Sequence, residues 1–222
     1  MEIEKLASYS GKRFLDIVVA SLILTILSPL ILMVWLAVLL CLGKPVLFKQ
    51  VRPGLHGKAF RLFKFRTMSD KKGKDGRLLP DSERLTRLGR LLRATSLDEI
   101  PELMNVLKGD MSLVGPRPLL FRYMPFFKPD ERKRFLARPG ITGLAQVSGR
   151  NLIDWDTRLR LDVMYVSTMS FLGDVKILLK TAWNVIFAKG VSADVDLVET
   201  SLDEERTELK SESEFHGPKD YN

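Results

Sequence analysis

Apolar and polar positions are segregated along the chain. From Ile17 through Leu42 there are 26 consecutive positions without a charged side chain, most of them Ile, Leu, Val, Met or Ala. That run exceeds the roughly 20 residues needed to cross a bilayer core. Ser28-Pro29 interrupts it near its middle. Proline removes a backbone hydrogen bond and clashes with the preceding turn, so the run predicts two halves of about 18–20 Å at 1.5 Å per residue, joined by a kink. Neither half spans a bilayer alone. Downstream, Phe60-Arg61-Leu62-Phe63-Lys64-Phe65-Arg66 alternates with period two and predicts a short strand. Lys71 to Gly76 is a polar loop. Leu85, Leu88 and Leu92, with Arg84, Arg87, Arg90 and Arg93 between them, predict an amphipathic basic helix ending near Ala94. A second helix fits from Leu97 to about Leu107, stopped by Gly109. Pro116, Pro118, Pro125, Pro129 and Pro139 divide the next stretch into short pieces. Asp156 to Met169 and Asp174 to Lys189 predict two more helices, the second with Ile177, Leu178, Trp183, Ile186 and Phe187 as an apolar surface. The fold class is therefore mainly α with a small β element.

Charge sharpens this division. The 222-residue chain (25.3 kDa) has a mean hydropathy of +0.01 and a formal charge of +8, values that suit a mildly basic soluble domain. Those averages are cancellations. From Asp194 onward there are 10 acidic and 3 basic side chains, leaving 32 basic against 17 acidic in residues 1–193. The organisation expected is an N-terminal segment and membrane helix over 1–43, a catalytic body over 44–193, and an acidic tail over 194–222, disordered or loosely helical. Lys12 and Arg13 precede the apolar run, and Lys44, Lys49, Arg52, Lys58, Arg61, Lys64 and Arg66 follow it with no acid before Asp70. Positive charge stays on the cytoplasmic side of membrane segments. A helix that bends at Ser28-Pro29 and leaves by the face it entered satisfies this rule at both ends, whereas a straight crossing satisfies it at one; the residues alone allow either. Phe121, Phe126, Phe127 and Phe135, mixed with Arg122, Lys128, Arg132, Lys133, Arg134 and Arg138, suit equally a membrane interface and a core helix with a solvated face. The single cysteine, Cys41, excludes an intrachain disulfide and a cysteine metal cluster.

Candidate chemistry is confined to a few places. Neither common glycine-rich nucleotide fingerprint is present. Two histidines, His56 and His216, do not supply a histidine triad or a multi-histidine metal site. Asp194-Val195-Asp196 resembles a metal-binding Asp-x-Asp, but lies in a tail so acidic that chance explains it. Ser96-Leu97-Asp98-Glu99 fits two readings. It matches a helix capping box, with Glu99 reaching back to the Ser96 end. The same geometry gives a helix N-terminus that favours an ionised Asp98 and an incoming phosphate, where a carboxylate could attack phosphorus and an adjacent Glu99 could hold Mg2+. Arg93, Arg117 within Gly115-Pro116-Arg117-Pro118, and Arg150 after Gly149 add planar forks suited to phosphate oxygens.

With these landmarks the chain resembles the bacterial sugar transferase family, the monotopic phosphoglycosyl transferases. The resemblance is carried by Lys12-Arg13-x-x-Asp16, the Ser28-Pro29 break, Lys64-Phe65-Arg66-Thr67-Met68, and Arg93-x-Thr95-Ser96-Leu97-Asp98-Glu99-x-Pro101-Glu102-Leu103. It continues through Met111-Ser112-Leu113-Val114-Gly115-Pro116-Arg117-Pro118, Arg138-Pro139-Gly140-Ile141-Thr142-Gly143 and Leu161-Asp162-x-x-Tyr165-Val166. It covers about Lys12 to Lys189 and matches the minimal catalytic type, without the extra N-terminal region of larger members. What it implies is transfer of a sugar-1-phosphate from a UDP-sugar to undecaprenyl (polyprenyl) phosphate with release of UMP, in two ping-pong steps. Asp98 would be the nucleophile, and Glu99, with Asp98, the Mg2+ site. Arg93, Arg117 and Arg150 would engage donor diphosphate or lipid phosphate, and Lys64, Arg66, Arg138 and Asp162 would line the site. The implied setting is the cytoplasmic face of the bacterial inner membrane, with a re-entrant kinked N-terminal helix, interfacial amphipathic helices, membrane lipids as partners, no nucleic acid, and an oligomer possible. One departure is visible: Ser167-Thr168 stands where the family often has an acidic residue and Asn. The competing class is a non-enzymatic, membrane-anchored basic protein that binds anionic lipid or nucleic acid.

Overall fold

The apolar run folds as two helices in a computed structural model that describes residues 9–149, 153–187 and 201–207. Helix α1 spans Lys12–Ile26 and helix α2 spans Ser28–Leu42, and they meet at a bend of 66°. The break has a local cause. Pro29 has no N–H to donate, and Ser28 Oγ donates to the Thr25 carbonyl at 2.8 Å instead. Among the described residues no single helix is long and apolar enough to cross a membrane, although the bent pair together has the length and composition. Its outer surface is strongly apolar: Leu22, Ile26, Leu32, Met33 and Leu40 are all more than half exposed.

The first turns of α1 are fixed to the body by polar side chains, and its later turns pack Ala20, Val19 and Ile23 on the core. Lys12 donates to the Val114 carbonyl and Tyr165 Oη, both at 3.0 Å, and pairs with buried Asp174. Arg13 donates to the Val106 and Leu107 carbonyls. Asp16 Oδ1 accepts from Ser112 Oγ at 3.0 Å and Leu113 N at 2.9 Å. The Lys12-Arg13-x-x-Asp16 motif is thus a docking device.

After a turn, β1 (Leu47–Pro53) and β2 (Ala59–Phe65) form an antiparallel hairpin in which Phe48 faces Lys64 and Gln50 faces Leu62. Sequence periodicity found β2 within one residue but missed β1. The helix predicted from Leu85 to Ala94 starts two residues later, as α4 (Arg87–Ala94), after a separate turn α3 (Asp81–Arg84), because Leu85 bridges to Met68 and Thr86 becomes the cap, accepting from Gly89 N at 2.9 Å. Gly89 is required there: a Cβ would fall 2.0 Å from the Thr67 carbonyl oxygen.

The predicted helix from Leu97 is a 3-10 turn, Leu97–Glu99, followed by α5 over Glu102–Lys108. Gly109 stops it in the left-handed region at φ 89°, as expected. Asn105 of α5, fully buried, donates to the Arg61 carbonyl at 2.7 Å and accepts from Phe63 N at 3.1 Å. One amide thereby completes the open edge of β2 and seats the hairpin on α5.

Strands β3 (Ser112–Val114) and β4 (Gly140–Thr142) pair in parallel, a contact between segments too short to show periodicity. Helix α6 (Leu144–Ser148) leads towards α7 (Trp155–Thr168) and α8 (Phe171–Ile186), the last two within a few residues of expectation. The main core gathers Ala20, Phe60, Leu62, Leu103, Val106, Met111, Leu113, Tyr165 and Ile177. A second cluster joins Leu119, Tyr123, Phe127, Trp155 and Leu159. Of the aromatics over 121–135, Tyr123, on the 3-10 turn Phe121–Phe126, and Phe127, just after it, are therefore core residues, while Phe121 is still exposed; a second 3-10 turn spans Glu131–Leu136. Helix α8 buries Ile177 and exposes Leu172, Leu179 and Trp183.

Part of the acidic tail is ordered. Residues 202–207 form a helical turn, α9, with Leu202 fully buried in the second cluster. The Asp194–Asp196 pair, the rest of the tail and Arg150 lie outside the described residues.

Candidate active site

The site forms where β2, the 97–99 turn, the start of α5 and the Gly-Pro-Arg-Pro loop converge. Ser96 takes a left-handed conformation, φ 56°, and makes no side-chain cap bond. The capping-box reading is therefore corrected, because Glu99 turns away towards two cations. Glu99 Oε1 accepts from Lys64 Nζ at 2.6 Å and Arg117 Nη2 at 2.9 Å. Lys64 also reaches Glu102 at 3.2 Å, so one ammonium serves two carboxylates.

These contacts separate the acids electrostatically. Burial pushes the Glu99 carboxyl up, but Arg117 and Lys64 together outweigh it and hold Glu99 below the usual carboxylate range. Glu102 goes the other way, raised by burial and by the Glu99 charge despite Lys64. Asp98 is 8% exposed. Burial first, and then the neighbouring Glu99 charge, raise its pKa against the pull of Lys64, Arg93 and Arg117. Burial and the Glu99 charge thus both disfavour the ionised form of Asp98.

The cations are held by other parts of the fold. Arg117 keeps 45% of its side chain exposed while contacting Glu99, leaving donors for an incoming anion. Its backbone is fixed twice. Its carbonyl accepts from Arg134 Nη2 at 2.7 Å. Gly115 packs so closely on β4 that a Cβ would sit 2.3 Å from the Arg138 carbonyl oxygen. Arg93 lies in the last turn of α4, and its Nε donates to Thr67 Oγ1 at 3.2 Å. Arg52 was counted in the sequence only as flanking charge, yet it lies beside this group: it donates to the Pro118 carbonyl at 3.3 Å, and burial, then the Arg117 charge, lower its pKa to about 10. No local pattern identified it, because its position depends on β1 pairing.

Three other candidates have side chains committed elsewhere. Arg66 bonds the Pro45 and Met68 carbonyls and Asp70, bracing the hairpin exit. Arg138 donates to the Gly109 carbonyl at 2.9 Å, placing its guanidinium at the C-terminal end of α5, about 10 Å along the helix from the Glu102 end. Asp162 is buried and takes both Nε and Nη2 of Arg134, at 3.1 and 2.7 Å. Through Arg134 it supports the Arg117 carbonyl, so it positions the site without lining it.

Asp98 and Glu99 supply the hard oxygen donors that Mg2+ prefers, and Mg2+ is usually held by one or two carboxylates together with substrate phosphates and water. Among the described residues no group of three or more His, Cys, Asp or Glu side chains is arranged to hold a metal ion. The donor set fits an ion that arrives with a diphosphate.

The structure thus presents a buried acidic turn contacted by lysine and arginine on a mainly helical body. The chain belongs to the bacterial sugar transferase family, whose sequence model matches residues 7–188. It is 52% identical over 180 residues to the uncharacterized sugar transferase EpsL of Bacillus subtilis, covering 81% of this chain and 89% of that one. It is 42% identical over 197 residues to an undecaprenyl-phosphate galactose phosphotransferase of Salmonella typhimurium (81% of this chain, 41% of that protein). It is 43% identical over 185 residues to a UDP-glucose:undecaprenyl-phosphate glucose-1-phosphate transferase of Caulobacter vibrioides (77% and 67%). The chain thus spans less than half of the Salmonella protein.

Proposed function

We propose that this protein is a phosphoglycosyl transferase that moves a sugar-1-phosphate from a UDP-sugar to undecaprenyl phosphate. The observation that carries the reading is the buried Asp98 beside a Glu99 that two cations hold ionised. Asp98 attacks the sugar-bearing phosphorus; the bond from that phosphorus to the bridging oxygen breaks, and UMP leaves with the electron pair. The acceptor phosphate oxygen then attacks the same phosphorus, and the Asp98 carboxylate departs, giving the lipid diphosphosugar. Arg117 and Arg93 hold the phosphoryl oxygens, while Lys64 keeps Glu99 in place. Mg2+ held by Glu99 and Asp98 would neutralise diphosphate charge.

The bent α1–α2 pair, with its exposed apolar surface, is the membrane anchor in this reading. It enters and leaves at the cytoplasmic face, so that a soluble donor and a lipid acceptor meet at headgroup depth. The chain's identity to the Salmonella and Caulobacter transferases supports galactose or glucose as the sugar to try first.

Purified protein incubated with Mg2+ and UDP-glucose or UDP-galactose, without lipid, should release about one equivalent of UMP and gain one hexose phosphate on Asp98. Asp98→Asn should do neither. UMP release that survives Asp98→Asn, with no adduct, would overturn the covalent mechanism.

A further inference from the structure

The sequence match to the family ends at residue 188, yet α9 lies beyond it and is built into the body. Leu202 is fully buried against Leu119, Tyr123, Phe127, Trp155 and Leu159. Arg206 is the more telling residue. Its guanidinium takes both oxygens of buried Glu131, Nη1 to Oε2 and Nη2 to Oε1, each at 2.7 Å. Nη2 also reaches Asp156 Oδ1 at 2.8 Å, and Nη1 the Phe126 carbonyl. A bidentate, mostly buried pair of this kind fixes orientation as well as charge.

What Arg206 grips is the frame of the active site. Glu131 opens the turn that carries Arg134, and its Oε2 also accepts from Lys128 N at 2.7 Å. Arg134, fixed by Asp162, holds the Arg117 carbonyl, and the Arg117 guanidinium holds Glu99. Asp156 lies in the first turn of α7, six residues after Arg150. A continuous path of charged hydrogen bonds and one rigid turn therefore joins the tail to the carboxylate next to Asp98.

We propose that α9 is a positioning strap: Arg206, acting through Glu131 and the Glu131–Leu136 turn, sets the pose of Arg117 for the donor diphosphate. Removing Arg206 leaves buried Glu131 without its cationic partner, with the Lys128 N–H remaining, so the turn relaxes and one of the two holds on the Arg117 backbone weakens. Leu202 supplies the apolar half of the strap. Only the kinetic readout rests on the phosphoryl-transfer reading; the structural readout does not.

The test uses the full chain and compares wild type with Arg206→Ala, Arg206→Lys and Leu202→Ser. Amide hydrogen exchange of peptides covering 115–118 and 131–136 is followed beside a control peptide covering 59–65. UMP release from UDP-glucose or UDP-galactose, whichever the wild type accepts, gives KM and kcat. Arg206→Ala and Leu202→Ser should speed exchange in the first two peptides and leave the control unchanged. Both should lower kcat/KM roughly 3- to 30-fold, chiefly through donor KM, the range typical of residues that act at a distance through packed contacts. Arg206→Lys, which keeps the charge and loses the fork, should fall between Arg206→Ala and wild type. Unchanged exchange and kinetics in Arg206→Ala overturn the proposal, as does exchange that rises equally in all three peptides. If wild type releases no UMP from any UDP-sugar, the phosphoryl-transfer reading fails, and the exchange data alone decide the strap.

Discussion

Lys64 is shared by two carboxylates that titrate in opposite directions, and this arrangement sets the pH behaviour of the site. Glu99, held low by Arg117 and Lys64 against burial, contributes stability above its ordinary pKa of 4.5 and loses it as pH falls. Glu102, pushed up to about 7 by burial and by the Glu99 charge, contributes stability while protonated. That contribution is complete below pH 4.5 and is lost as pH rises towards 7. Glu102→Gln fixes the neutral form. The stability of wild type relative to this variant should therefore fall by up to about 3 kcal/mol between pH 4.5 and 8, the bound given by about 1.4 kcal/mol per pKa unit. Urea midpoints in detergent at the two pH values measure it; a constant difference would mean that folding does not raise the Glu102 pKa. At this scale the sequence showed part of the site. Asp98-Glu99 stood out as an acidic pair at an expected helix start, and Lys64 entered only through the family resemblance. Arg66, Arg138 and Asp162 also entered only through the resemblance, and a motif does not show that their side chains meet Asp70, the Gly109 carbonyl and Arg134. Glu102 was visible only as a motif letter.

Among the elements, the break between α1 and α2 was readable to the residue, since a proline acts through its own missing donor and needs no partner, whereas α1 begins at Lys12, five residues before the apolar run. Strand β1 and the β3–β4 pair were not, because they exist through partners distant in sequence: Gln50 opposite Leu62, Ser112 opposite Gly140. The 97–99 turn was misread for a related reason. Local propensity favours a capped helix from Ser96, but the Lys64 and Arg117 contacts to Glu99 are tertiary and override it. The bend itself makes a sharp prediction. Ser28→Ala with Pro29→Ala restores the donor at position 29 and frees the Thr25 carbonyl to accept it. The two 15-residue helices should then join into a helix of about 45 Å at 1.5 Å per residue, long enough to cross a bilayer. In a Cys41→Ser background, cysteines placed at residues 2 and 70 should both label from the cytoplasmic side in the otherwise unaltered chain. In the double variant they should label from opposite sides in a measurable fraction of molecules. Opposite-side labelling before the bend is altered would establish a spanning helix from the start.

For the whole molecule, the proposed anchor raises the question of what holds the body at a fixed depth relative to it. The body carries a strong positive charge and would be drawn to anionic headgroups by itself, but that attraction is screened by salt within about 10 Å at 0.1 M and sets no register. The structure supplies register through α1, whose outer side is apolar and whose inner side is tied to the body by Lys12, Arg13 and Asp16. Asp16 is the most central tie: nearly all of its surface is buried, and its single carboxylate oxygen serves both Ser112 and Leu113 N at the start of β3, two residues before the loop that carries Arg117. Asp16→Ala should leave Ser112 Oγ and the Leu113 amide buried without an acceptor, at about 1–3 kcal/mol for each unsatisfied group. The anchor surface itself would be unchanged. The expected result is therefore a dissociation of two properties: the variant stays with membranes through a 1 M salt wash, as the parent protein should, while its thermal midpoint in detergent falls by several degrees and UMP release falls with it. Loss of the variant to the salt supernatant would show that charge on the body, and not the bent helix pair, is what holds this protein at the membrane.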